Sequence, residues 1–274
     1  MFYQLEILSD EQSKKLKEIR NFFKNQTSIC IAYSGGVDST LVASLAFEQL
    51  GSKAIAITGV SPALATILLK EAKSQARWIG IQHLEIETSE LDESNYSNNP
   101  KNRCFACKKE LHKHTTYLSK KFKSSIVCDG VNLDDLNDYR PGIQAAKEAG
   151  VISPLAKFKF SKKDIRDISR ALGFPWWDKP AQPCLSSRFP YGHQITSERL
   201  QMVEKAEEYI KKRGISEVRV RCQGSTARIE IPQDKLEIFC KEYNFNEIVN
   251  YFSNLGFNCT SLDLEGLLSG KLNR

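Results

Sequence analysis

The stretch Ile29-Cys30-Ile31-Ala32-Tyr33-Ser34-Gly35-Gly36-Val37-Asp38-Ser39-Thr40 decides the fold of this chain. Its apolar first half predicts a β-strand, and the apolar spacing that continues to Leu50 predicts an α-helix closed by Gly51. The glycines of the turn allow backbone N–H groups to close on an anion, and the N-terminus of the helix adds partial positive charge. Asp38 or Ser39 is expected to cap this helix. A phosphate-bearing ligand is therefore predicted at the turn.

The residues from Ser34 to Ser39 resemble the SGGxDS loop of the ATP pyrophosphatases, the PP-loop superfamily. The stretch is not a Walker loop, because no Gly-Lys-Ser/Thr follows and it offers no lysine to the β- and γ-phosphates. The resemblance implies that ATP is split into AMP and pyrophosphate and that AMP is placed on an acceptor oxygen. The implied ATP-binding residues, with Asp38 also catalytic, are Ser34, Gly35, Gly36, Val37, Asp38 and Ser39. The alternative is a glycine-rich turn that only closes a strand–helix unit.

Strands and helices alternate along the first part of the chain. Periodicity predicts strands at residues 28–33, 54–60, 84–86 and 125–129, and helices at 9–25, 64–78, 108–121 and 162–172. This alternation predicts an α/β fold with a parallel sheet and helices on both faces. Because ligands of such sheets lie at the carboxyl ends of the strands, the loop, the residues after Val60 and segment 129–135 are expected around one crevice.

A different pattern begins at Ile195. A charged amphipathic helix is predicted at 196–212, a strand hairpin at 218–222 and 227–231, a helix at 235–252 and a last strand at 259–264. We therefore predict two domains. The first is a PP-loop domain at residues 1–192 that ends in a proline-rich connector, and the second is a small α+β domain at residues 193–274.

The composition is that of a globular enzyme. Hydrophobic residues make up 41% of the chain, no apolar run approaches the length of a membrane span, and the N-terminus lacks the features of a signal peptide. We therefore expect a cytoplasmic protein without a membrane partner. The net charge of +6 suits a phosphate-rich small molecule but is too mild to indicate nucleic-acid binding. We expect a small-molecule nucleotide substrate, no nucleic-acid partner and a homo-oligomer.

Further segments narrow the resemblance. They are Asn102-Arg103-Cys104, Asp138-Tyr139-Arg140-Pro141-Gly142, Asp178-Lys179-Pro180-Ala181, Pro183-Cys184-Leu185-Ser186-Ser187-Arg188-Phe189-Pro190-Tyr191-Gly192, Arg219-Val220-Arg221 and Ala227-Arg228-Ile229-Glu230. Together they resemble the LarE family over nearly the whole chain. LarE proteins are ATP-dependent sulfur transferases that make the nickel-pincer nucleotide. The resemblance implies that a carboxylate of pyridinium-3,5-biscarboxylic acid mononucleotide is adenylylated by ATP and that sulfur then displaces AMP to give a thiocarboxylate. It further implies Mg²⁺, which would neutralise charge on the triphosphate.

The chain has eight cysteines, which in an intracellular enzyme are not a disulfide framework. Cys30 and Cys128 lie in apolar strands and are interpreted as core residues. No partner pattern is found for Cys222, Cys240 and Cys259. Cys104 and Cys107 form a C-x-x-C before a helical run, and Cys184 lies in a loop that prolines flank.

The sulfur source has two alternatives in the family chemistry. In one, Cys184 gives up its own sulfur and becomes dehydroalanine. In the other, Cys104, Cys107 and Cys184 hold a 4Fe-4S cluster whose fourth iron binds the transferable sulfide. We favour the cluster, because a C-x-x-C matches an iron–sulfur ligand set. Simple packing, or a structural zinc site completed by His112 or His114, is the alternative for the C-x-x-C pair.

Charged and aromatic residues near these motifs are further candidates. The phosphate-binding candidates are Arg188, Arg219 and Arg221, with Arg188 expected to be catalytic. Alternation along a strand places Arg219 and Arg221 on one face, and a solvated sheet face is the alternative. The magnesium candidates are Glu207, Glu208 and Glu230, and at most one of the adjacent pair is expected to face a site. Trp176 and Trp177 are interpreted as core residues, with ring stacking on a ligand as the alternative.

Two other functions are compatible with these motifs. A tRNA thiolase also combines a PP-loop with C-x-x-C cysteines, but it needs a basic RNA surface, and the basic runs at 120–123 and 211–213 are short. The second is a nucleotide-binding protein without turnover. The intact loop with Asp38 argues against it.

Overall fold

The chain forms two compact units in a computed structural model, which describes residues 2–123, 126–137, 140–268 and 271. The first unit comprises Met1–Glu90 and Asn102–Gln182, and the second comprises Leu91–Lys101 and Pro183–Arg274. This division differs from the sequence-based boundary at residues 192 and 193. Segments 91–101 and 183–192 lie together because the Tyr96 and Ser186 hydroxyls are 2.6 Å apart and the Asn99 amide donates to the Pro190 carbonyl at 2.7 Å.

In chain order the helices are α1 Asp10–Lys24, α2 Val37–Leu50, α3 Thr66–Ile79, α4 Ser94–Ser97, α5 Arg103–Lys121, α6 Pro141–Glu148, α7 Pro154–Lys157, α8 Lys162–Ala171, α9 Ser197–Lys211, α10 Leu236–Glu242 and α11 Phe245–Leu255. The strands are β1 Ile29–Ala32, β2 Ala54–Val60, β3 Gln82–Glu87, β4 Ile126–Cys128, β5 Arg219–Gln223, β6 Thr226–Glu230 and β7 Cys259–Leu262. No helix within the described residues has the length and apolar character needed to cross a membrane.

A parallel sheet in the order β3-β2-β1-β4 lies at the centre of the first unit. Ile29 of β1 is in register with Ala54 of β2 on one side and with Ile126 of β4 on the other. Strand β1 is buried over its whole length, as expected for an inner strand covered on both faces. The predicted α/β fold is confirmed. Because the strands are parallel, their carboxyl ends lie along one edge of the sheet.

Local sequence signals explain where two helices of this unit begin. Ser9 and Ser161 each accept a hydrogen bond from the backbone N–H three residues on and form capping boxes for α1 and α8. Leu16, Ile19 and Phe23 of α1 recur at helical spacing and are buried in the core. These signals set where α1 and α8 begin, and both helices pack against α2, the helix that follows the loop.

Several helices differ from the sequence-based prediction. Helix α5 begins at Arg103 rather than Lys108, so the C-x-x-C lies in the first turn of a helix and not in a loop. The predicted helix at 235–252 is two helices, because the Asn244 side chain accepts hydrogen bonds from the first N–H groups of α11. Helices α6 and α7 were not predicted, although each begins with proline, which suits the first helical position. Ser125 of the predicted fourth strand, and Asp138 and Tyr139 of a family-like motif, lie outside the described residues.

The second unit contains a smaller sheet in the order β5-β6-β7. Strands β5 and β6 form the predicted antiparallel hairpin, and the turn between them is allowed by Gly224, whose φ is +61°. Strand β7 lies parallel to β6, so the chain crosses back through α10 and α11 before it returns to the sheet. The small α+β arrangement matches the sequence-based expectation.

Candidate functional site

The segment Ser34–Ser39 connects the carboxyl end of β1 to the first turn of α2. Gly35 has φ +69°, and a Cβ at this position would lie 2.8 Å from the Cβ of Ala72, so both conformation and space require glycine. Gly36 is the N-cap of α2 and no side chain caps the helix, which corrects the expectation for Asp38 or Ser39. The Ser39 hydroxyl is used within the loop instead, where it donates to the Gly36 carbonyl at 3.2 Å. The first N–H groups of α2 are thus left without a side-chain cap, which suits an anion.

Lys179 brings an ammonium group to this loop from the end of the first unit. Its Nζ donates to the carbonyl oxygen of Gly35 at 3.2 Å and pairs with Glu71 of α3 at 2.5 Å. Its side chain is 15% exposed, so the contact is protected from solvent. The loop therefore acquires a lysine that its own sequence lacks.

A layer of buried polar side chains supports the loop from below. The Gln75 side-chain oxygen accepts hydrogen bonds from the hydroxyls of Tyr33, at 3.2 Å, and Thr40, at 3.0 Å. The Thr58 hydroxyl donates to the Tyr33 carbonyl at 2.7 Å and lies 2.8 Å from Nε2 of His83. Burial raises the pKa of Tyr33 to about 12, so its hydroxyl stays protonated and can donate. These contacts fix the residues on both sides of the loop.

Carboxylates gather where the carboxyl ends of β1 and β4 meet. The Asn132 amide donates to Oδ2 of Asp38 at 3.2 Å, and Asp135 pairs with Arg140 at 2.9 Å and with Lys162 at 3.4 Å. Burial raises the pKa of Asp38 to about 6, the Asp135 carboxylate adds to the increase, and the Asn132 hydrogen bond opposes it. The predicted approach of segment 129–135 to the loop is thereby observed.

The glycine after β4 makes this approach possible. A Cβ on Gly130 would lie 2.7 Å from the backbone nitrogen of Ser39, so only glycine allows the two backbones to lie this close. Asp129 beside it accepts a hydrogen bond from the backbone N–H of Val131 at 3.1 Å, and burial raises its pKa. The edge of the sheet is therefore tightly packed around the start of α2.

Cys104 and Cys107 share one face of the first turn of α5, because residues three apart on a helix are neighbours. Cys104 is exposed and Cys107 is half-buried. His112 lies deeper on the same helix. It is buried, burial and the Lys108 ammonium lower its pKa to about 4, and its Nδ1 has no hydrogen-bond partner among the described residues. The thiols of Cys104 and Cys107 could supply two metal ligands, whereas His112 is buried in the protein interior.

In the second unit, Arg188 and Glu207 form a buried two-point ion pair, with Nε to Oε1 at 2.7 Å and Nη2 to Oε2 at 3.0 Å. The remaining Arg188 nitrogen donates to the carbonyls of Pro183 and Cys184. Burial lowers the pKa of the guanidinium, but the Glu207 carboxylate outweighs it and the net shift is upward. Arg188 thus holds the backbone of the Cys184 loop, and all of these donors are directed at protein atoms.

The other predicted arginines differ in their partners. Arg221 is buried, pairs with Glu230 at 2.9 Å and donates to the Ser187 carbonyl at 2.6 Å. Arg219 is half-buried, and among the described residues no carboxylate pairs with it. Burial lowers its pKa, and the guanidinium groups of Arg188 and Arg221 lower it further. The interpretation of Arg221 as a residue on a solvent-exposed sheet face is wrong, because its side chain is buried. Of the three predicted arginines, Arg219 is the one whose guanidinium could bind an anion.

The glutamates proposed for Mg²⁺ pair with cationic side chains in this structure. Glu207 and Glu230 are buried against arginines, and Glu208 is exposed and pairs with Lys212 at 3.6 Å. Within the part of the chain that the structure describes, no group of three or more His, Cys, Asp or Glu side chains is found in a metal-binding arrangement, and this applies to the three predicted cluster cysteines as well as to these glutamates. The magnesium prediction for these residues therefore gains no support.

The remaining predicted residues are placed as follows. Cys184 is exposed and precedes the single helical turn Leu185–Arg188. Cys30 and Cys128 are buried in the core, as predicted. Trp176 packs against Trp78 and Phe174, which is the core role. The ring of Trp177 lies 5.2 Å from the Arg170 guanidinium carbon.

Sequence analysis missed several residues of the site. Lys179 lies in an irregular, proline-containing segment whose pattern assigns it no role, and Gln75 lies in a helix whose pattern shows only amphipathicity. Segment 129–135 was placed correctly by the rule for parallel strands, but the roles of Asn132 and Asp135 depend on side-chain contacts that no spacing encodes.

Comparison with known proteins gives relatives over most of the chain, although no family model matches it. The chain is 34% identical over 252 residues to the pyridinium-3,5-bisthiocarboxylic acid mononucleotide synthase of Lactiplantibacillus plantarum, covering 91% of this chain and 90% of that protein. An uncharacterised protein of Synechocystis sp. is 54% identical over 260 residues, which cover 95% of this chain and 97% of that protein. An uncharacterised protein of Methanocaldococcus jannaschii is 33% identical over 256 residues, with 92% and 96% covered.

Proposed function

The chain belongs to the LarE family, and from this premise we propose that it is an ATP-dependent sulfur transferase of nickel-pincer nucleotide biosynthesis. Its acceptor is pyridinium-3,5-biscarboxylic acid mononucleotide, one carboxylate of which becomes a thiocarboxylate. The relative from Lactiplantibacillus plantarum is named as the synthase of the bisthiocarboxylic acid form of this nucleotide. The observation that carries the proposal is the geometry of the Ser34–Ser39 loop, which leaves the first turn of α2 uncapped at the edge of a parallel sheet.

The chemistry follows from the weakness of a carboxylate as an electrophile. An acceptor carboxylate oxygen attacks the α-phosphorus of ATP, the bond to the β-phosphate oxygen breaks, and pyrophosphate leaves. The product is a mixed anhydride of the acceptor and AMP. A sulfur nucleophile then attacks the acyl carbon and expels AMP. The N–H groups at the start of α2 and the Lys179 ammonium are proposed to bind the leaving pyrophosphate, and Mg²⁺ would neutralise triphosphate charge when bound.

The role proposed for the second unit is to bind the phosphate of the acceptor nucleotide. Arg219 is the proposed contact, since Arg188 and Arg221 already pair with Glu207 and Glu230. Arg188 donates to the carbonyl of Cys184, and Arg221 donates to the carbonyl of Ser187. The two arginines therefore hold the backbone of the loop that carries Cys184. Arg188 and Arg221 are thereby proposed to keep the exposed Cys184 thiol in a fixed position.

The sulfur donor is proposed to be a 4Fe-4S cluster ligated by Cys104, Cys107 and Cys184, with a sacrificial Cys184 as the second candidate. The shared helix face of the exposed Cys104 and half-buried Cys107 supports a ligand pair. Iron and sulfide counts on protein purified without oxygen distinguish the two. The cluster predicts about four irons per chain, lost in Cys104→Ser but kept in the control Cys240→Ser. A single sulfur per chain from iron-free protein would favour the sacrificial donor.

The experiment that tests the proposed function compares acceptors. The protein is incubated with ATP and a sulfide source, together with the pyridinium nucleotide, with tRNA or with neither, and AMP is measured. AMP formation that depends on the pyridinium nucleotide supports the proposal. Formation that depends on tRNA identifies a tRNA thiolase, and ATP binding without AMP formation identifies a nucleotide-binding protein.

A further inference from the structure

Two residues at the carboxyl edge of the first unit's sheet are absent from the proposed chemistry. Ser61 directly follows β2, and Glu90 follows β3. The Ser61 hydroxyl donates to Oε1 of Glu90 at 2.6 Å. Glu90 is only 3% exposed, and among the described residues its second oxygen, Oε2, is buried without a hydrogen-bond partner. The buried Glu90 carboxyl group thus has one oxygen held by Ser61 and one oxygen without a hydrogen-bond donor.

A buried carboxylate oxygen without a hydrogen-bond donor is unusual, because burial removes the water molecules that would donate to it and no protein donor takes their place. The other acids described along this edge have a hydrogen-bond donor or a cation beside them; Oδ1 of Asp135 has no hydrogen bond but has two cations within ion-pair distance. Asp38 accepts from Asn132, Asp129 accepts from Val131, and Asp135 pairs with Arg140 and Lys162. Oε2 of Glu90 is therefore the carboxylate oxygen of this edge that could accept a hydrogen bond from a bound ligand.

The order of the strands indicates which part of a bound nucleotide could donate a hydrogen bond to Glu90. The phosphate loop follows β1, Ser61 follows the next strand of the sheet and Glu90 follows the strand beyond it. Two strand spacings amount to about 10 Å, which is the length scale of a nucleoside. A nucleoside carries hydrogen-bond donors in its ribose hydroxyls and in the exocyclic amine of adenine, and a carboxylate is an acceptor for either.

We infer that Glu90, oriented by Ser61, accepts a hydrogen bond from the nucleoside part of bound ATP and makes the site selective for that nucleoside. This inference rests on the ATP binding of the proposed function. Glu90 is then a specificity-determining residue, and the catalytic groups act on the phosphates at the other end of the same ligand. The two possible donors, ribose and amine, differ in the analogue that loses affinity.

The test measures binding of four nucleotides by calorimetry on the full chain. They are ATP, 2′-deoxy-ATP, 3′-deoxy-ATP and purine riboside triphosphate, which lacks the amine. Loss of one charged hydrogen bond is expected to weaken binding about tenfold or more. Weaker binding of a deoxynucleotide assigns the donor to the ribose, and weaker binding of purine riboside triphosphate assigns it to the amine.

Variants connect this discrimination to Glu90. Glu90→Gln keeps the shape of the side chain and is expected to bind ATP about tenfold more weakly and to lose the discrimination. Glu87→Gln makes the same chemical change at an exposed position of β3 and is expected to behave like the parent. Equal binding of all four nucleotides by the parent would overturn the inference, as would discrimination that persists in Glu90→Gln. A parent that binds none of the four would instead contradict the proposed function.

Discussion

The Nζ of Lys179 lies 3.2 Å from the carbonyl oxygen of Gly35 and donates a hydrogen bond to it. The sequence separation of these residues places the lysine outside any local loop motif, yet it joins the turn that connects β1 to α2. The Glu71 carboxylate on α3 holds the same ammonium group at 2.5 Å. The loop is therefore anchored by a charge network drawn from three segments of the first unit.

Replacing Lys179 with methionine is expected to weaken ATP binding. Methionine keeps much of the apolar stem but removes the ammonium group that contacts Gly35 and Glu71. A charged hydrogen bond contributes about 1.5–3 kcal/mol, so the dissociation constant should rise about tenfold or more. Calorimetric titration with ATP measures it. Lys163→Met, at a lysine whose side chain is 82% exposed, is the control and should bind as the parent does. Equal affinities of both variants would show that Lys179 does not support the loop.

Gly35 and Gly150 form a matched pair for testing how tightly the loop is packed. Both have left-handed φ, +69° and +71°, but an added Cβ would meet Ala72 at Gly35 and nothing within 4 Å at Gly150. Alanine at either position should cost about 1–2 kcal/mol for the backbone conformation. Gly35→Ala should cost a further 1–3 kcal/mol or so through overpacking and should also lose ATP binding. Urea unfolding curves measure the difference, and equal stabilities of the two variants would contradict the packing account.

In the first unit, local elements could be predicted from the sequence, whereas long-range side-chain contacts could not. The strand, the loop and α2 were predictable, because an apolar run, two glycines and a helical pattern are local signals. The approach of segment 129–135 was also predictable from the rule for parallel sheets. The contact of Lys179 with Gly35 was not, since the side chain of a residue in an irregular segment has no periodicity to place it. The cap of α2 was mispredicted because Ser39 bonds back to the loop rather than forward to the helix.

The raised pKa of Asp38 makes the stability of the protein depend on pH. Its native pKa is about 6, above the ordinary value of 3.8, so the folded state binds more protons than the unfolded state between these values. Stability from the neutral form is complete below the ordinary pKa and is lost as the pH rises through 6. Asp38→Asn stays uncharged, and at pH 7 it should be about 3 kcal/mol more stable than the parent while losing AMP formation.

The measurement is urea unfolding of the parent and Asp38→Asn at pH 3.5, below the ordinary pKa of an aspartate, and at pH 7. The difference between the two proteins should be small at the lower pH and should grow toward the higher one. Glu18→Gln, at an exposed position of α1, is the control and should show no such growth. An Asp38→Asn variant that is less stable than the parent at pH 7 would show that the Asp38 charge is favourable in the fold.

Arg188 and Arg219 are expected to respond to the same substitution in opposite ways. Arg188→Gln leaves the buried Glu207 carboxylate without its partner and should destabilise the second unit by about 3–5 kcal/mol. Arg219→Gln breaks no ion pair, and its stability should stay within about 0.5 kcal/mol of the parent. Its affinity for the pyridinium nucleotide should instead fall about tenfold.

Chemical denaturation and substrate titration together test this contrast. The double variant Arg188→Gln/Glu207→Gln is a further control, because it removes the stranded charge and should recover part of the lost stability. Unchanged nucleotide affinity in Arg219→Gln would remove Arg219 from the proposed acceptor site. The spacing of Arg219 and Arg221 predicted their shared face, but only their packing shows that Arg221 is already paired with Glu230 while Arg219 is not.

The most direct test of the account is the mass of the product made from the pyridinium nucleotide, ATP and sulfide, measured together with AMP and pyrophosphate. The account predicts an acceptor heavier by the exchange of one oxygen for one sulfur, with one AMP and one pyrophosphate released for each exchange. The Asp38→Ala variant should form none of these products while remaining folded. An acceptor of unchanged mass, or sulfur incorporation that proceeds without release of AMP, would contradict adenylylation by the Ser34–Ser39 loop.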